Sequence, residues 1–334
     1  MVDILYDGII FSLQRSGGIS VLFDEITGRL PLGKFKLDRL DSPGQFRRFE
    51  RFRDYQVTEG YRIFHSTYYR VPSVLTGAVV ATVHDYTYER FFGFAKKQLH
   101  SWQKNRCIGS ADKIICVSES TKRDLMEFSG SKFEDRVVIV PNGVSEDYYP
   151  LANLVARPQV LFVGARGGYK NFIPLVQALS MIKDVDLVCV GGGEFTAEEV
   201  RLLDKLLAKR YWHKGYLTNA ELNEEYNKSI CLAYPSLYEG FGIPVLEAMR
   251  ASCPVLAVNK SSIPEVAGDA ALLMEKGDAD EIVYGVEFFL CQQNRRNFAS
   301  RGLVRARQFS WDRTYIETLA VYEEIIGSKL GGGI

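Results

Sequence analysis

The feature that most constrains the fold is an alternation of short apolar segments with helical segments, which runs twice along the chain. Apolar runs rich in β-branched residues predict strands, and amphipathic stretches behind capping residues predict helices. Strands that alternate with helices form parallel sheets joined by right-handed crossovers. In the first half, strands are predicted at 2–6, 79–83, 113–117 and 137–140, and helices at 19–30, 102–109 and 122–128.

The alternation breaks at 151–158, between Pro150 and Pro158, and then starts again. The second half has predicted strands at 160–163, 186–190, 231–233 and 255–257, and predicted helices at 172–180, 198–209, 221–227, 244–251, 280–290 and 309–326. We therefore predict an α/β chain of two doubly wound parallel-sheet domains, 1–152 and 153–308, followed by a C-terminal helical segment, 309–334. Two such domains leave a cleft, and ligands bind beyond the carboxyl ends of parallel strands.

Composition excludes several classes of protein. The chain has 334 residues, of which 46% are hydrophobic, and this length suffices for two cores. Its 41 basic and 41 acidic residues cancel, so no global field attracts nucleic acid. The six cysteines lack metal-type spacing and predict reduced thiols in a cytoplasmic protein. The start of the chain does not read as a signal peptide, and no apolar run is long enough to span a membrane.

The segment from Pro235 to Met249 carries the most specific indication of a ligand site. Glu239 and Glu247 lie eight positions apart, with Gly240-Phe241-Gly242 and Pro244 between them. Because proline is tolerated in the first turn of a helix, Pro244 predicts a helix start, with Glu239 in the loop before it. Free N–H groups at that start suit a phosphate, and the carboxylates suit sugar hydroxyls on either side. The layout predicts a nucleotide-sugar site; the alternative is a solvated helix start with two surface glutamates.

A glycine-rich turn between a predicted strand and a predicted helix supplies two cations. Arg166 and Lys170 lie in the segment 161–171, where the backbone can approach an anion. Fixed cations at a diphosphate stabilise the charge that grows on a departing nucleotide. We expect both residues to hold the diphosphate; the alternative is a basic surface turn.

Two further turns in the first half are candidates for ligand contact. Gly17-Gly18 opens the first long helix and lets a ligand approach backbone N–H groups, although a simple tight turn explains it equally well. The absence of the G-x-G-x-x-G spacing there argues against a dinucleotide-binding dehydrogenase. His84, with Asp85, ends an apolar strand and is placed to hydrogen-bond a sugar hydroxyl. A structural histidine is the alternative, and His65 is a weaker candidate.

Other polar or glycine-rich spots carry less information. Gly215 and Tyr216 are predicted to follow a strand and to contact the base of a nucleotide through backbone groups. The glycine run 191–193 either lines the nucleotide site or forms a plain turn. Two Asp-x-Asp spacings, at 184–186 and 278–280, fall at strand and helix starts, so we predict no metal ion and no cofactor.

Taken in order, these residues resemble the retaining glycosyltransferases of family 4, which have the GT-B fold of two Rossmann-like domains. The resemblance runs along nearly the whole chain, and the E-x7-E motif with its inner Gly-Phe-Gly is its specific part. The matching segments are Gly17-Gly18, His84-Asp85, 116–125, 140–144, 163–171, Gly215-Tyr216, 235–249, Pro254-Val255, 263–269 and 309–311.

The resemblance implies a role for each candidate. The two glutamates of the E-x7-E motif would contact different parts of the donor: Glu239 would face the hexose, and Glu247 would bind the ribose. Gly240, Phe241 and Gly242 would add backbone contacts. The remaining candidates would hold the diphosphate (Arg166, Lys170), approach the donor (Gly17, Gly18) or contact a sugar hydroxyl (His84). The final helix would cross back to the first domain. One departure from the family pattern is that Ala165, rather than arginine, follows the strand-ending Gly164.

These inferences predict transfer of a hexose from a UDP- or GDP-sugar, with retention at the anomeric carbon. No carboxylate is placed as a covalent nucleophile, so a front-face route is expected. The alternatives are a GT-B nucleotide-sugar epimerase and a non-catalytic two-domain sugar-binding protein.

The predicted acceptor is a saccharide or a lipid-linked saccharide of cell-surface polysaccharide synthesis. The stretch Arg47–Arg53 interleaves arginines with Phe46, Phe49 and Phe52. It either touches an anionic inner membrane face, as a peripheral contact, or is a solvated segment with some buried rings. Both interpretations are compatible with a cytoplasmic protein.

Overall fold

The structure, a computed structural model, describes residues 2–14, 17–38, 50–152 and 154–331. The chain forms two compact units. Unit 1 comprises Met1–Gly143 and Ser310–Ile334, and unit 2 comprises Val144–Phe309. The chain thus leaves unit 1 at Gly143, earlier than the division expected at 152/153, and returns to it at Ser310.

Side-chain amides explain why the segment before the expected division belongs to unit 2. Asn223 Oδ1 accepts a hydrogen bond from the backbone N–H of Tyr149 at 3.1 Å, and Asn227 Oδ1 accepts one from Leu151 at 2.8 Å. These bonds fix residues 149–151 on a helix of unit 2.

Unit 1 is built around a six-stranded parallel sheet. Its strands are β1 (Val2–Tyr6), β2 (Phe35–Leu37), β3 (Tyr61–Ser66), β4 (Ala78–Val83), β5 (Lys113–Cys116) and β6 (Val137–Ile139), in the order β2-β1-β3-β4-β5-β6. Its first helices are α1 (Ile9–Leu13), α2 (Gly18–Arg29), α3 (Thr87–Phe91), α4 (Phe94–Ser110) and α5 (Glu119–Ser129). Every residue of β4 is buried, as expected for an apolar strand in a parallel sheet covered on both faces.

Unit 2 repeats this architecture. Its strands are β7 (Gln159–Val163), β8 (Asp186–Val190), β9 (Tyr211–His213), β10 (Cys231–Tyr234), β11 (Val255–Val258) and β12 (Leu272–Met274), in the order β12-β11-β10-β7-β8-β9. Its helices are α6 (Phe172–Met181), α7 (Ala197–Leu207), α8 (Asn219–Lys228), α9 (Ile243–Arg250), α10 (Ile263–Ala267), α11 (Ala279–Leu290) and α12 (Gln292–Ala306). Capping boxes formed by Thr196 with Glu199 and by Thr218 with Glu221 start α7 and α8.

The C-terminal helix α13 (Trp311–Gly331) belongs to unit 1 and is anchored there by a buried chain of hydrogen bonds. The hydroxyl of Tyr322 lies 2.8 Å from the hydroxyl of Tyr6 and 2.5 Å from Nδ1 of His65. Nε2 of His65 lies 2.7 Å from the hydroxyl of Thr82. Burial lowers the pKa of His65 to about 3, so the ring stays neutral and links the helix to three strands.

The predicted α/β architecture of two parallel sheets is confirmed. Strands 2–6 and 186–190 lie where the sequence predicts them, and Ser118 caps α5 by accepting a hydrogen bond from the N–H of Thr121 at 2.9 Å. Within the described ranges, none of the helices is long and apolar enough to cross a bilayer.

Candidate active site

Two loops that leave neighbouring strands meet at one edge of the unit 2 sheet. β7 and β10 pair in parallel, so the glycine-rich turn after β7 and the loop after β10 start side by side. The backbone N–H of Leu237 donates a hydrogen bond to the carbonyl of Tyr169 at 2.8 Å and joins the two loops. Asn171 adopts a left-handed conformation and donates from Nδ2 to the carbonyl of Gly277 at 2.6 Å, which ties in a third loop.

This meeting of loops pairs two of the predicted site residues. Nζ of Lys170 lies 2.5 Å from Oε1 of Glu239, and the two side chains are 14% and 13% exposed. Lys170 ends a short 3₁₀ turn at Gly168–Lys170, and Glu239 precedes α9. A shielded ammonium and carboxylate in contact can bind a phosphate and a sugar hydroxyl on adjacent parts of one ligand. Their roles toward a donor remain predictions.

The loop that carries Glu239 is held in place by two serines. The hydroxyl of Ser261 accepts a hydrogen bond from the N–H of Glu239 at 2.8 Å. The buried hydroxyl of Ser262 lies 2.9 Å from the carbonyls of both Glu239 and Phe241. The ring of Phe241 packs edge-on against that of Phe309, with 5.9 Å between centroids, so this residue keeps only its backbone for a ligand. Sequence reasoning missed both serines, because a Ser-Ser pair in a loop carries no signal of its own.

The start of α9 has the geometry that its sequence predicts. The helix begins at Ile243, with proline in its first turn, and Gly242 caps it at a φ of 98°. A Cβ on Gly242 would lie 2.7 Å from Cδ1 of Ile263, so both the backbone angle and the packing favour glycine. Gly240 and Gly242 flank the buried Phe241, so the backbone beside the first turn of α9 carries few side chains that could block a ligand.

Glu247 lies inside α9 with an altered affinity for protons. Its Oε2 accepts a hydrogen bond from the hydroxyl of Tyr226 at 2.8 Å. Burial raises the pKa of Glu247 to about 7, although hydrogen bonds from Tyr226 and Tyr148 pull the value in the other direction. The group therefore gains or loses a proton near neutral pH, and a ligand hydroxyl that donates to it would favour the charged form.

Arg166 is placed differently from Lys170. Its guanidinium bonds Oε1 of Glu199 at 3.0 Å and the carbonyls of Gly191, Gly193 and Glu194 at 3.2, 2.8 and 2.8 Å, and the side chain is 3% exposed. These contacts hold the glycine loop after β8, in which three consecutive glycines have positive φ. The structure thus gives Arg166 a role in fixing that loop. Its role at the diphosphate stays a prediction, which requires the guanidinium to exchange some of these bonds.

The residues predicted to meet the base lie beside the same glycine loop. The carbonyl of Gly215, at a φ of 64°, accepts a hydrogen bond from the N–H of Gly191 at 2.7 Å. Tyr216, which follows it, is 75% exposed. Gly215 thus joins the turn after β9 to the loop after β8, and the exposed ring of Tyr216 is available to a ligand.

In unit 1, His84 directly follows β4 and is buried. Its Nε2 has no hydrogen-bond partner among the described residues, although nearly every buried polar atom in a protein has one. Burial lowers the pKa of His84 to about 4, so the ring is neutral and can donate to or accept from a ligand hydroxyl. His65, by contrast, is fully engaged in the buried chain that anchors α13.

Gly17 and Gly18 form the start of α2, as predicted. Gly17 is the N-cap, in an extended conformation, and its carbonyl accepts a hydrogen bond from the hydroxyl of Ser20 at 3.0 Å. The basic stretch Arg47–Arg53, for which a membrane contact is one of two interpretations, lies partly outside the described residues, and its described part includes a 3₁₀ turn at Glu50–Phe52. Across the described part of the chain, His, Cys, Asp and Glu side chains form no cluster of three or more that suits a metal ion.

Two family descriptions match consecutive parts of the chain. Residues 16–148 match glycosyltransferase family 4, and residues 152–302 match glycosyl transferases group 1. The chain is 28% identical over 288 residues to the O-antigen chain mannosyltransferase B of Escherichia coli, an alignment that covers 78% of this chain and 74% of that protein. It is 30% identical over 291 residues to the α-maltose-1-phosphate synthase of Mycolicibacterium smegmatis, covering 78% of this chain and 75% of that protein.

Solved structures share the fold. The Anabaena protein Alr3699/HepE, crystallised with UDP and glucose, superposes with a TM-score of 0.74 at 16% identity, over 96% of this chain and 100% of that one. Sucrose-phosphate synthase of Thermosynechococcus elongatus superposes with a TM-score of 0.69 at 20% identity, over 80% of this chain and 74% of that one. With the two parallel sheets and the sequence matches, the chain is an enzyme that belongs to the GT-B glycosyltransferases of the family 4 type.

Proposed function

We propose that the protein is a retaining hexosyltransferase that takes a hexose from a UDP- or GDP-sugar and transfers it to a saccharide hydroxyl. The contact between Lys170 and Glu239 carries this proposal, because it puts a shielded cation and a carboxylate at one loop junction. Glu247 lies farther along the helix that follows this junction. The mannosyltransferase relative supports a hexose, and the neighbour crystallised with UDP and glucose supports a nucleotide donor.

The proposed reaction follows a front-face route. The acceptor oxygen forms a bond to the anomeric carbon on the face from which the nucleotide diphosphate departs, and the bond from that carbon to the phosphate oxygen breaks. The leaving phosphate oxygen takes the acceptor proton, so the configuration is retained. Lys170 stabilises the negative charge that grows on the phosphate, and Glu239 orients a hexose hydroxyl. The route as proposed uses neither a metal ion nor a cofactor.

The acceptor is proposed to be a saccharide or a lipid-linked saccharide of cell-surface polysaccharide synthesis. The O-antigen mannosyltransferase among the relatives supports this class of acceptor. A lipid-linked acceptor would bring a cytoplasmic enzyme to the inner membrane face as a peripheral protein.

Incubation with a panel of UDP- and GDP-hexoses tests the proposal and its alternatives. We expect a donor that raises the melting temperature and is consumed when a saccharide acceptor is added, giving a product whose anomeric proton shows retention. Epimerised sugar from donor alone would establish the epimerase instead. A thermal shift by free saccharide without consumption of any donor would establish a sugar-binding protein.

Lys170→Ala should lower kcat by about 100-fold or more, because the transition-state charge loses its counter-ion. Lys183→Ala, at an exposed lysine of the same unit outside the three joined loops, is the matched control. Thermal denaturation of Lys170→Ala, measured beside the control, shows whether an unpaired Glu239 destabilises the fold instead. Unaltered turnover in Lys170→Ala would contradict the proposed role.

A further inference from the structure

The outer face of α4 in unit 1 presents a row of large apolar side chains. Phe94, Leu99 and Trp102 are 79%, 46% and 53% exposed. Phe94 and Trp102 lie two turns apart on one ridge, and Leu99 lies beside Trp102 three residues earlier. Single exposed apolar residues are ordinary, but a row of them on one helix indicates an interaction surface.

Cations border this row on both sides. The helical repeat places Lys96 beyond one edge of the row and Lys97 beyond the other. Nζ of Lys96 lies 5.9 Å from the ring centroid of Phe92, and Nζ of Lys97 lies at the same distance from that of Phe128. Neither lysine forms an ion pair with any residue that the structure describes.

The charge of α4 is one-sided. The helix contains four basic residues (Lys and Arg) and no acidic one, in a chain whose 41 basic and 41 acidic residues balance overall. Lys104 is buried against Glu89 at 3.0 Å, and Arg106 is paired with Asp54 at 2.5 Å. The cations of this helix that are left for an outside partner are therefore Lys96 and Lys97, beside the apolar row.

We propose that this α4 surface, formed by Phe94, Leu99, Trp102, Lys96 and Lys97, docks unit 1 on an anionic lipid bilayer. Aromatic and leucine side chains enter the boundary between headgroups and acyl chains, and flanking lysines reach lipid phosphates from their apolar stems. A second copy of the chain fits less well. A symmetric contact centred on the ridge would bring the lysines of one copy against those of the other.

The α4 surface is coupled to the predicted sugar site of unit 1 through the buried face of the same helix. Nζ of Lys104 donates to the carbonyl of Asp85 at 2.7 Å, and this residue directly follows His84. A bilayer held at α4 would thus support the loop that we expect to meet a sugar. The inference rests on the proposed function for its purpose, since a lipid-linked acceptor lies in a bilayer, but the binding itself requires neither donor nor acceptor.

Flotation of the full chain with lipid vesicles tests the inference. We expect the chain to float with vesicles of phosphatidylcholine and phosphatidylglycerol, to float little with phosphatidylcholine alone, and to be released by high salt. The charge variant Lys96→Glu/Lys97→Glu should weaken binding by more than about tenfold. The apolar variant Phe94→Ser/Trp102→Ser should also lose binding.

Matched controls come from exposed residues of unit 2. Lys183→Glu/Lys205→Glu and Ile173→Ser/Trp212→Ser repeat the same chemistry at exposed positions elsewhere and should float like the unaltered chain. Far-UV circular dichroism and nucleotide-induced thermal shift show that every variant is folded. Because flotation needs no substrate, its failure would leave sugar transfer to a soluble acceptor intact and the proposed function standing.

Trp102 gives a direct readout of insertion. Trp311 is buried and Trp212 is half exposed, so a Trp212→Phe chain reports chiefly on Trp102. Anionic vesicles should shift its emission to the blue, and lipids brominated near the headgroup should quench it. Absence of flotation, or equal loss in the unit 2 controls, would overturn the proposal. So would a dimer in analytical ultracentrifugation that Phe94→Ser/Trp102→Ser abolishes while vesicles bind nothing.

Discussion

Glu247 holds its proton to a pH at which an ordinary glutamate has lost it. Its pKa of about 7 in the folded chain lies above the ordinary value of 4.5. At a pH between 4.5 and about 7, Glu247 in the folded state carries a proton that the same group in the unfolded chain has released. This group therefore lowers the unfolding free energy as pH rises through that window, by up to about 3 kcal/mol.

Nucleotide binding should release protons near pH 7 if a ribose hydroxyl donates to Glu247. Calorimetric titration with the preferred nucleoside diphosphate, in buffers of different ionisation enthalpy, should show release of about half a proton per ligand. Glu247→Gln keeps a polar partner for Tyr226 and should abolish the release. Proton release that persists in this variant would place the titrating group elsewhere.

Arg166 offers a test that separates a structural role from a catalytic one. Arg166→Ala removes the bonds to three carbonyls and leaves Glu199 without its cation, so the unfolding free energy should fall by about 2–4 kcal/mol. Chemical denaturation measures this fall, and Lys205→Ala, at an exposed position of α7, is the control. A variant of unchanged stability with much lower turnover would instead favour the predicted contact with the diphosphate.

The glycine that caps the start of α9 allows a prediction about a single structural element. Gly242→Ala places a side chain at a positive φ and in close contact with Ile263, so it should lower the unfolding free energy by about 2 kcal/mol or more. Gly33→Ala also has a positive φ, of 83°, but its Cβ would meet no atom within 4 Å, so it measures the backbone cost alone. Because Gly242 sets the direction of α9, only the first variant should also weaken donor binding, as measured by thermal shift.

Elements with strong local signals could be predicted from the sequence, and others could not. Val79–Val83 is rich in β-branched residues, so the buried strand β4 is evident from its sequence. β3 is interrupted by Arg62 and His65, and the three residues of β2 are too few for a pattern. The helix α12 buries only a narrow stripe of Phe298, Gly302 and Ala306 among polar residues, which hides its periodicity.

The candidate site, too, could be predicted from the sequence only in part. Local motifs single out Glu239, Glu247 and Lys170 as candidates, because each belongs to a turn or helix start that a few neighbouring residues define. The pairing of Lys170 with Glu239 joins positions 69 apart and depends on the adjacency of β7 and β10. The engagement of Arg166 with the glycine loop likewise depends on tertiary contacts, so composition and spacing could not reveal it.

For the whole molecule, the structure makes unit 1 dependent on both ends of the chain. Removal of residues 310–334 takes away α13 and the hydroxyl of Tyr322, which costs Tyr6 and His65 a buried hydrogen-bond partner. We expect unit 1 to unfold or melt earlier in this truncation while unit 2 keeps its nucleotide-induced stabilisation. Calorimetry that resolves two unfolding transitions, together with limited proteolysis, would show the separate behaviour of the two units. Tyr322→Phe is a milder variant, which should lower the unfolding free energy by about 1–3 kcal/mol.

The exit and return of the chain in unit 1 lie side by side. A Cβ on Gly143 would be 2.3 Å from the backbone nitrogen of Trp311, so only a residue without a side chain fits between the two passages. In its topology, the segment 144–309 is thus an insertion at a single point of unit 1. A short glycine-serine linker in its place should preserve the strand order of unit 1. If unit 2 binds the donor, as we propose, unit 2 of another family member in the same place should change the donor and leave unit 1 unaltered.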